Sequence, residues 1–175
     1  MVIRLSKLKL YKIYTLIIVC IRTHIFVRYL YCIYSCLINM KILTFKNFMK
    51  KYNLKNDTMN ESQLQKIYYY PIYPKNSKIY SDRGFVNIGD YQNGGSHWTA
   101  FIIKDNKSFY FDSFGGSPDK FLLNQLPKPI IYHNYKIQDI NSKLCGSYCL
   151  YFFYLIERMN YYDTILKMYF ETIFE

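Results

Sequence analysis

The sequence predicts an α+β domain in which a central antiparallel sheet carries a buried helix against one face. Three observations lead there. Between residues 84 and 137 four short runs rich in aromatic and β-branched residues follow one another, each bounded by Gly, Asn, Asp or Pro. After them comes the apolar run 150–156, which with its flanks is long enough for a helix buried on all sides. The chain has 175 residues and no internal repeat, which suits one domain with a real core and is too little for two of ordinary size.

Taken in order, residues 1–40 alternate apolar side chains with Arg4, Lys7, Lys9, Lys12, Arg22 and Arg28. The longest charge-free apolar run, 13–21, is half of the roughly 18–20 residues that span a bilayer, although 29–40 adds a second apolar stretch after Arg28. A basic start precedes Leu16, Ile17 and Ile18 as in a signal peptide, but no small-residue cleavage site follows. Three readings stay open: a segment lying on a membrane surface, translation upstream of a start at Met40, Met49 or Met59, and a true anchor. Residues 41–58 hold a helix with Phe45, Phe48, Met49 and Tyr52 at helical spacing, then the polar stretch 53–60, read as a linker. The compact domain is expected over 59–175. It opens with a short helix, 61–67, and a connection punctuated by Pro71 and Pro74. Strands are expected at 84–88, 98–103, 109–112 and 130–137, and helices at 145–158 and 162–174.

The formal charge of +11 suggests a polyanion partner until it is divided along the chain. Residues 1–59 carry eleven Lys/Arg against the single Asp57, whereas residues 60–175 carry twelve basic against eleven acidic residues. Contact with nucleic acid, or with a membrane, is therefore expected only through the N-terminal third. The many Tyr and Phe residues accompany many Lys, Asn and Ile, a bias that an AT-rich genome produces without selection, and they carry no functional weight. Cysteines at 20, 32, 36, 145 and 149 are odd in number and do not form the framework of a small secreted domain, which favours a reducing compartment.

Within the domain one set of residues fits a thiol hydrolase, which needs a thiolate, a base, a group to orient the base and donors for an oxyanion. Cys145 stands directly ahead of the apolar helix, where unsatisfied N–H groups lower a thiol pKa. Gly146 would give a substrate room to approach the backbone. Cys149, one turn on among Leu150, Phe152 and Phe153, reads as a small core residue. His97 opens one predicted strand and Asp112 closes the next, so antiparallel pairing brings them together at one end of the sheet. By themselves these residues leave open a turn histidine and a strand-end cap.

The pieces Val86-Asn87, Gly94-Gly95-Ser96-His97-Trp98, Phe111-Asp112-Ser113-Phe114-Gly115, Gln138 and Leu144-Cys145-Gly146-Ser147-Tyr148-Cys149 resemble, in order, the VN…GGxHW…(D/E)xFG…Q…CGxxC series of the adenovirus-type cysteine endopeptidases. Similar enzymes occur in virus-like DNA transposons, virophages and large DNA viruses. The match spans roughly residues 84–156, about 40% of the chain. It implies a papain-like fold, a His97–Asp112–Cys145 triad and Gln138 as an oxyanion-hole donor. It also implies Trp98 as a wall of a narrow substrate channel, with Asn87 and Gly146 beside it, and cleavage next to small residues, often Gly, in viral or transposon structural precursors. The related SUMO-specific proteases favour Gly-Gly ends too, so a ubiquitin-like conjugate is the alternative substrate. The place of action would be the host cytoplasm or nucleus, or the virion. The DNA and disulfide-linked peptide that stimulate the adenovirus enzyme are not carried over, because residues 60–175 are nearly neutral and hold no Cys beyond Cys145 and Cys149. A monomer without cofactor or metal is expected.

Two rivals remain. Cys145, Cys149, His97 and His133 could ligate zinc, but one ligand would lie inside an aromatic helix and no second Cys pair exists. A catalytically silent capsid- or membrane-associated protein of the same fold is the other, although every residue type the chemistry needs is present.

Overall fold

A computed structural model describes residues 42–89 and 97–174 of the protein. The expected segment 1–40, and Gly94, Gly95 and Ser96 of the motif, lie outside the described residues. Thr44–Glu175 form one compact unit.

That unit begins at Thr44 rather than at the expected residue 59. Helix α1 (Phe45–Lys51) is capped by the Thr44 hydroxyl, which accepts from Asn47 N at 3.3 Å. Leu54 N returns to Met49 O at 2.9 Å and Asn53 takes a φ of 49°, so the polar stretch turns the chain instead of spacing two bodies. Phe48 is fully buried against Tyr151 and Tyr154, and Phe45 stacks on Tyr148 with ring centres 4.2 Å apart. Helix α2 (Glu61–Gln65) opens on a capping box between Asn60 and Gln63 and buries Leu64.

Five strands follow: β1 (Ile72–Pro74), β2 (Arg83–Asn87), β3 (Trp98–Lys104), β4 (Lys107–Phe111) and β5 (Ile130–Ile131). They form one sheet in the order β1-β2-β3-β4-β5. Its centre, β2-β3-β4, is antiparallel as expected, but both edges pair in parallel, which makes the sheet mixed. The expected strand 130–137 shrinks to two residues. Past Ile131 the chain leaves the sheet, and the N–H groups of Ile137 and Gln138 both bond Ser113 O at 2.9 Å. Helix α3 (Lys120–Gln125), which the sequence does not predict, crosses between β4 and β5.

Alternation along the strands divides the core in two. Phe85, Ala100 and Phe111 are in register across β2, β3 and β4, and meet helix α4 (Cys145–Ile156) through Phe153 and Phe152. Tyr73, Val86, Phe101 and Tyr110 pack on the other side with Leu122 and Leu126. Ten of the twelve α4 residues are buried, so it is a central helix rather than an amphipathic one. Helix α5 (Tyr161–Phe174) packs on α4, and its Tyr161 hydroxyl donates to Tyr110 O at 2.9 Å. The molecule is thus α+β, with the buried helix the sequence predicts. Among the described residues no helix is long and apolar enough to cross a membrane.

Candidate active site

The site is assembled where β3 begins, β4 ends and α4 begins. His97 immediately precedes β3 and Asp112 immediately follows β4, and the antiparallel pairing of these strands sets them side by side. His97 Nε2 donates to Asp112 Oδ1 at 2.8 Å, with the two side chains 22% and 6% exposed. The same carboxylate oxygen accepts Phe114 N at 2.8 Å, so Asp112 is fixed by its own turn before it meets the imidazole. Gly115 continues that turn at φ +77°, with the Tyr135 backbone 2.8 Å from where a Cβ would stand. At Gly116 a Cβ would lie 2.6 Å from Asp112 Oδ2, so only glycine lets this backbone pass over the carboxylate.

Cys145 is the first residue of α4. Leu144 at the N-cap supplies no side-chain acceptor, so no capping side chain offsets the positive end of the helix dipole at Cys145. His97 Nδ1 is buried and makes no hydrogen bond of ordinary geometry. Cys145 is the second group, after Asp112, that acts on this ring. Burial alone would lower the His97 pKa, but the Asp112 bond and the Cys145 thiol together outweigh it and raise it to about 9. Cys149 has no such surroundings. It is fully buried, its Sγ donates to Trp98 O at 3.3 Å, and burial pushes its thiol pKa well up. Neither cysteine is in a disulfide.

Gln138 is almost fully buried and held at both ends. Its Oε1 accepts from Ser113 Oγ at 2.7 Å, and its Nε2 donates to Ser142 O at 2.7 Å, with a longer 3.4 Å contact to Ser142 Oγ. Ser142 Oγ in turn accepts from Leu144 N at 3.3 Å, one residue before Cys145. Gln138 is therefore tied to the loop that delivers the nucleophile position.

The remaining expected site residues lie beside this group. Trp98 is buried and donates its indole N–H to Met59 O at 2.8 Å. Asn87 is its register partner on β2, and its Oδ1 accepts Gly89 N at 3.1 Å. Together with residues 58–63 they line a cleft of about 550 Å³. Gly146 is buried, with Met59 Cβ, Trp98 Cδ1 and Leu64 Cδ2 between 3.1 and 3.4 Å from a Cβ placed there. Glycine at this position lets α4 pack closely on Met59, Trp98 and Leu64. Met59 was not foreseen, although its carbonyl, side chain and Cβ meet Trp98, Ser147 and Gly146. Ser113 enters the sequence pattern only as a motif neighbour, and Ser142 lies two residues before the motif that holds Cys145. No short-range signal reveals the role of Ser113, because its partner Gln138 lies on another segment, whereas Ser142 bonds Gln138 and Leu144 within its own loop.

His133 lies apart, against Phe111, with Nδ1 on Tyr135 O at 2.8 Å and Nε2 buried without a partner. Among the described residues no group of three or more His, Cys, Asp or Glu side chains is arranged to hold a metal ion. No protein-family model and no curated protein matches the chain.

Proposed function

We propose that this protein is a cysteine endopeptidase of the adenovirus type, built on a papain-like fold and cleaving polypeptides next to small residues. The observation that carries the reading is that one half-buried imidazole is bonded to Asp112 at 2.8 Å and is also acted on by Cys145 at a helix N-terminus. A carboxylate on one side and a thiol on the other is the arrangement that converts thiol and imidazole into thiolate and imidazolium.

The chemistry then follows from the residues. The Cys145 thiolate attacks the scissile carbonyl carbon, and the C=O electron pair moves onto oxygen. That oxyanion takes hydrogen bonds from the Cys145 backbone N–H and from the Gln138 Nε2 hydrogen that Ser142 O does not hold. As the C–N bond breaks, the His97 imidazolium gives its proton to the leaving amine, and a thioester remains on Cys145. Neutral His97 next takes a proton from water, whose oxygen attacks the thioester. The carboxylic acid product leaves and the thiolate–imidazolium pair returns. Throughout, Asp112 holds the ring in the tautomer and orientation both steps need.

The test is hydrolysis of a peptide library scored for Gly near the scissile bond, with Cys145→Ala and Cys149→Ala in parallel. Cys145→Ala loses all but about one part in a thousand of kcat/KM or less, and Cys149→Ala keeps its rate within a few-fold. Retained activity in Cys145→Ala, or loss confined to Cys149→Ala, ends the proposal.

A further inference from the structure

We infer that Ser113 is a positioning residue, whose hydroxyl holds the far end of the Gln138 amide so that its NH₂ group stays fixed against the nucleophile loop. The inference rests on the peptidase reading above for its catalytic consequence, but not for its geometry. Asp112 and Ser113 are neighbours at the end of β4, and each serves a different half of the site. Asp112 holds the imidazole at 2.8 Å, while Ser113 Oγ meets Gln138 Oε1 at 2.7 Å.

The amide orientation follows from its partners. Ser142 O can only accept, so the end of the amide facing it at 2.7 Å must be the NH₂ group. The other end is then the carbonyl oxygen, and a group 2.7 Å from it must donate; Ser113 Oγ, which both donates and accepts, supplies the hydrogen. Ser113 is fully buried, so no solvent competes for that bond. Its backbone carbonyl also accepts the N–H groups of Ile137 and Gln138, which sets the Gln138 main chain independently of the hydroxyl. The side-chain bond therefore has an effect separable from the main chain, orienting the amide so that both Nε2 hydrogens point toward the segment 142–145. One anchors Ser142 O at 2.7 Å, and the other makes only the longer 3.4 Å contact with Ser142 Oγ, which a developing oxyanion can displace. Without the hydroxyl the amide can rotate about its last torsion, and the nucleophile loop loses the end of the chain of bonds running Ser113, Gln138, Ser142, Leu144.

The experiment uses the full chain, with Ser113→Ala, Ser113→Cys and Gln138→Ala singly, and with Ser113→Ala and Gln138→Ala combined. The Gln138 side-chain amide is followed by ¹⁵N NMR, its signal identified by its disappearance in Gln138→Ala, and steady-state kinetics are measured beside it. In Ser113→Ala the amide hydrogens exchange about tenfold or more faster, and kcat falls about tenfold while KM stays within about twofold; Ser113→Cys, a weaker donor of similar size, falls between. In the Gln138→Ala background, removing the hydroxyl has no further effect on kcat, because the two residues act as one unit. Exchange unchanged by both Ser113 substitutions, or an equal loss of kcat in both backgrounds, overturns the assignment. If the unsubstituted chain hydrolyses no peptide and Ser113→Ala or Ser113→Cys still frees the Gln138 amide, the peptidase reading falls and the Ser113 assignment stands.

Discussion

His97, half-buried at the entry of β3, and His133, buried just past the end of β5, both feel the Asp112 charge, yet their surroundings drive them in opposite directions. At His97 the Asp112 bond and the Cys145 thiol overcome burial and raise the pKa to about 9. At His133 burial prevails over the Tyr135 carbonyl and the more distant Asp112, and the pKa is lowered. The two cysteines differ in setting: Cys145 stands at a helix terminus beside an imidazole, and Cys149 is enclosed four residues deeper in the same helix, where burial raises its thiol pKa. Burial by itself keeps a titratable group neutral; it becomes chemistry only where a partner stabilises the charged form.

The largest expected effect breaks the comparison outright. His97→Ala lowers kcat/KM by about 10³-fold or more, while His133→Phe leaves it within a few-fold. Peptide hydrolysis by the two variants measures the difference directly, and similar losses in both would mean that the two sites are not functionally distinct.

A smaller effect sharpens the origin of the raised pKa. Gly116→Ala would put a methyl 2.6 Å from Asp112 Oδ2 and must displace either the carboxylate or the turn. A drop in kcat of about ten- to a hundredfold is expected, with the alkaline limb of the pH–rate profile, expected near pH 9 from His97 in the unsubstituted chain, moving down. A normal profile with unchanged kcat would show that the turn yields without disturbing Asp112.

The smallest effect is in stability, measured as denaturant midpoint against pH. His97 is raised from 6.5 in the folded state, so its contribution is present in full below about pH 6.5 and is lost as pH rises through about 9. His133 is lowered, so it contributes nothing above pH 6.5 and costs stability as pH falls below that, where the unfolded chain takes up the proton first. His133→Phe should flatten the acid side of the curve and leave the alkaline side unchanged. A flattening of the alkaline side instead would reverse the assignment of the two histidines.

Much of this architecture is legible in the residues, unevenly. Strands β2, β3 and β4 are read within one or two residues because each is a run of aromatic and β-branched side chains closed by turn formers. Helix α4 is read from its apolar length, and α5 from the apolar stretch that closes the chain. The edge strands are read less well: β1, three residues, is not foreseen, and β5 opens where the strand 130–137 is expected but stops after two residues; each is held by a parallel ladder with one neighbour. Helix α3 is six residues with Leu122 its one buried side chain, too short for a period to emerge. The polar stretch after α1 looks like a linker because its composition is the same whether it spaces two bodies or turns a helix back onto one.

What the sequence determined by itself was the inventory and its order: a histidine opening one strand, an aspartate closing the next, and a cysteine at the head of an apolar helix. Spacing within adjacent antiparallel strands is enough to bring the first two together, because the ladder leaves no choice of neighbour. Only the tertiary structure decided that Ser113 clamps Gln138, that Gly116 passes over the Asp112 carboxylate, and that Gly146 is small to admit Met59. The first and last of these join residues far apart in the chain, and the second depends on the path of a turn. Such contacts follow from side-chain volume and direction at a packed junction, quantities that no local pattern encodes.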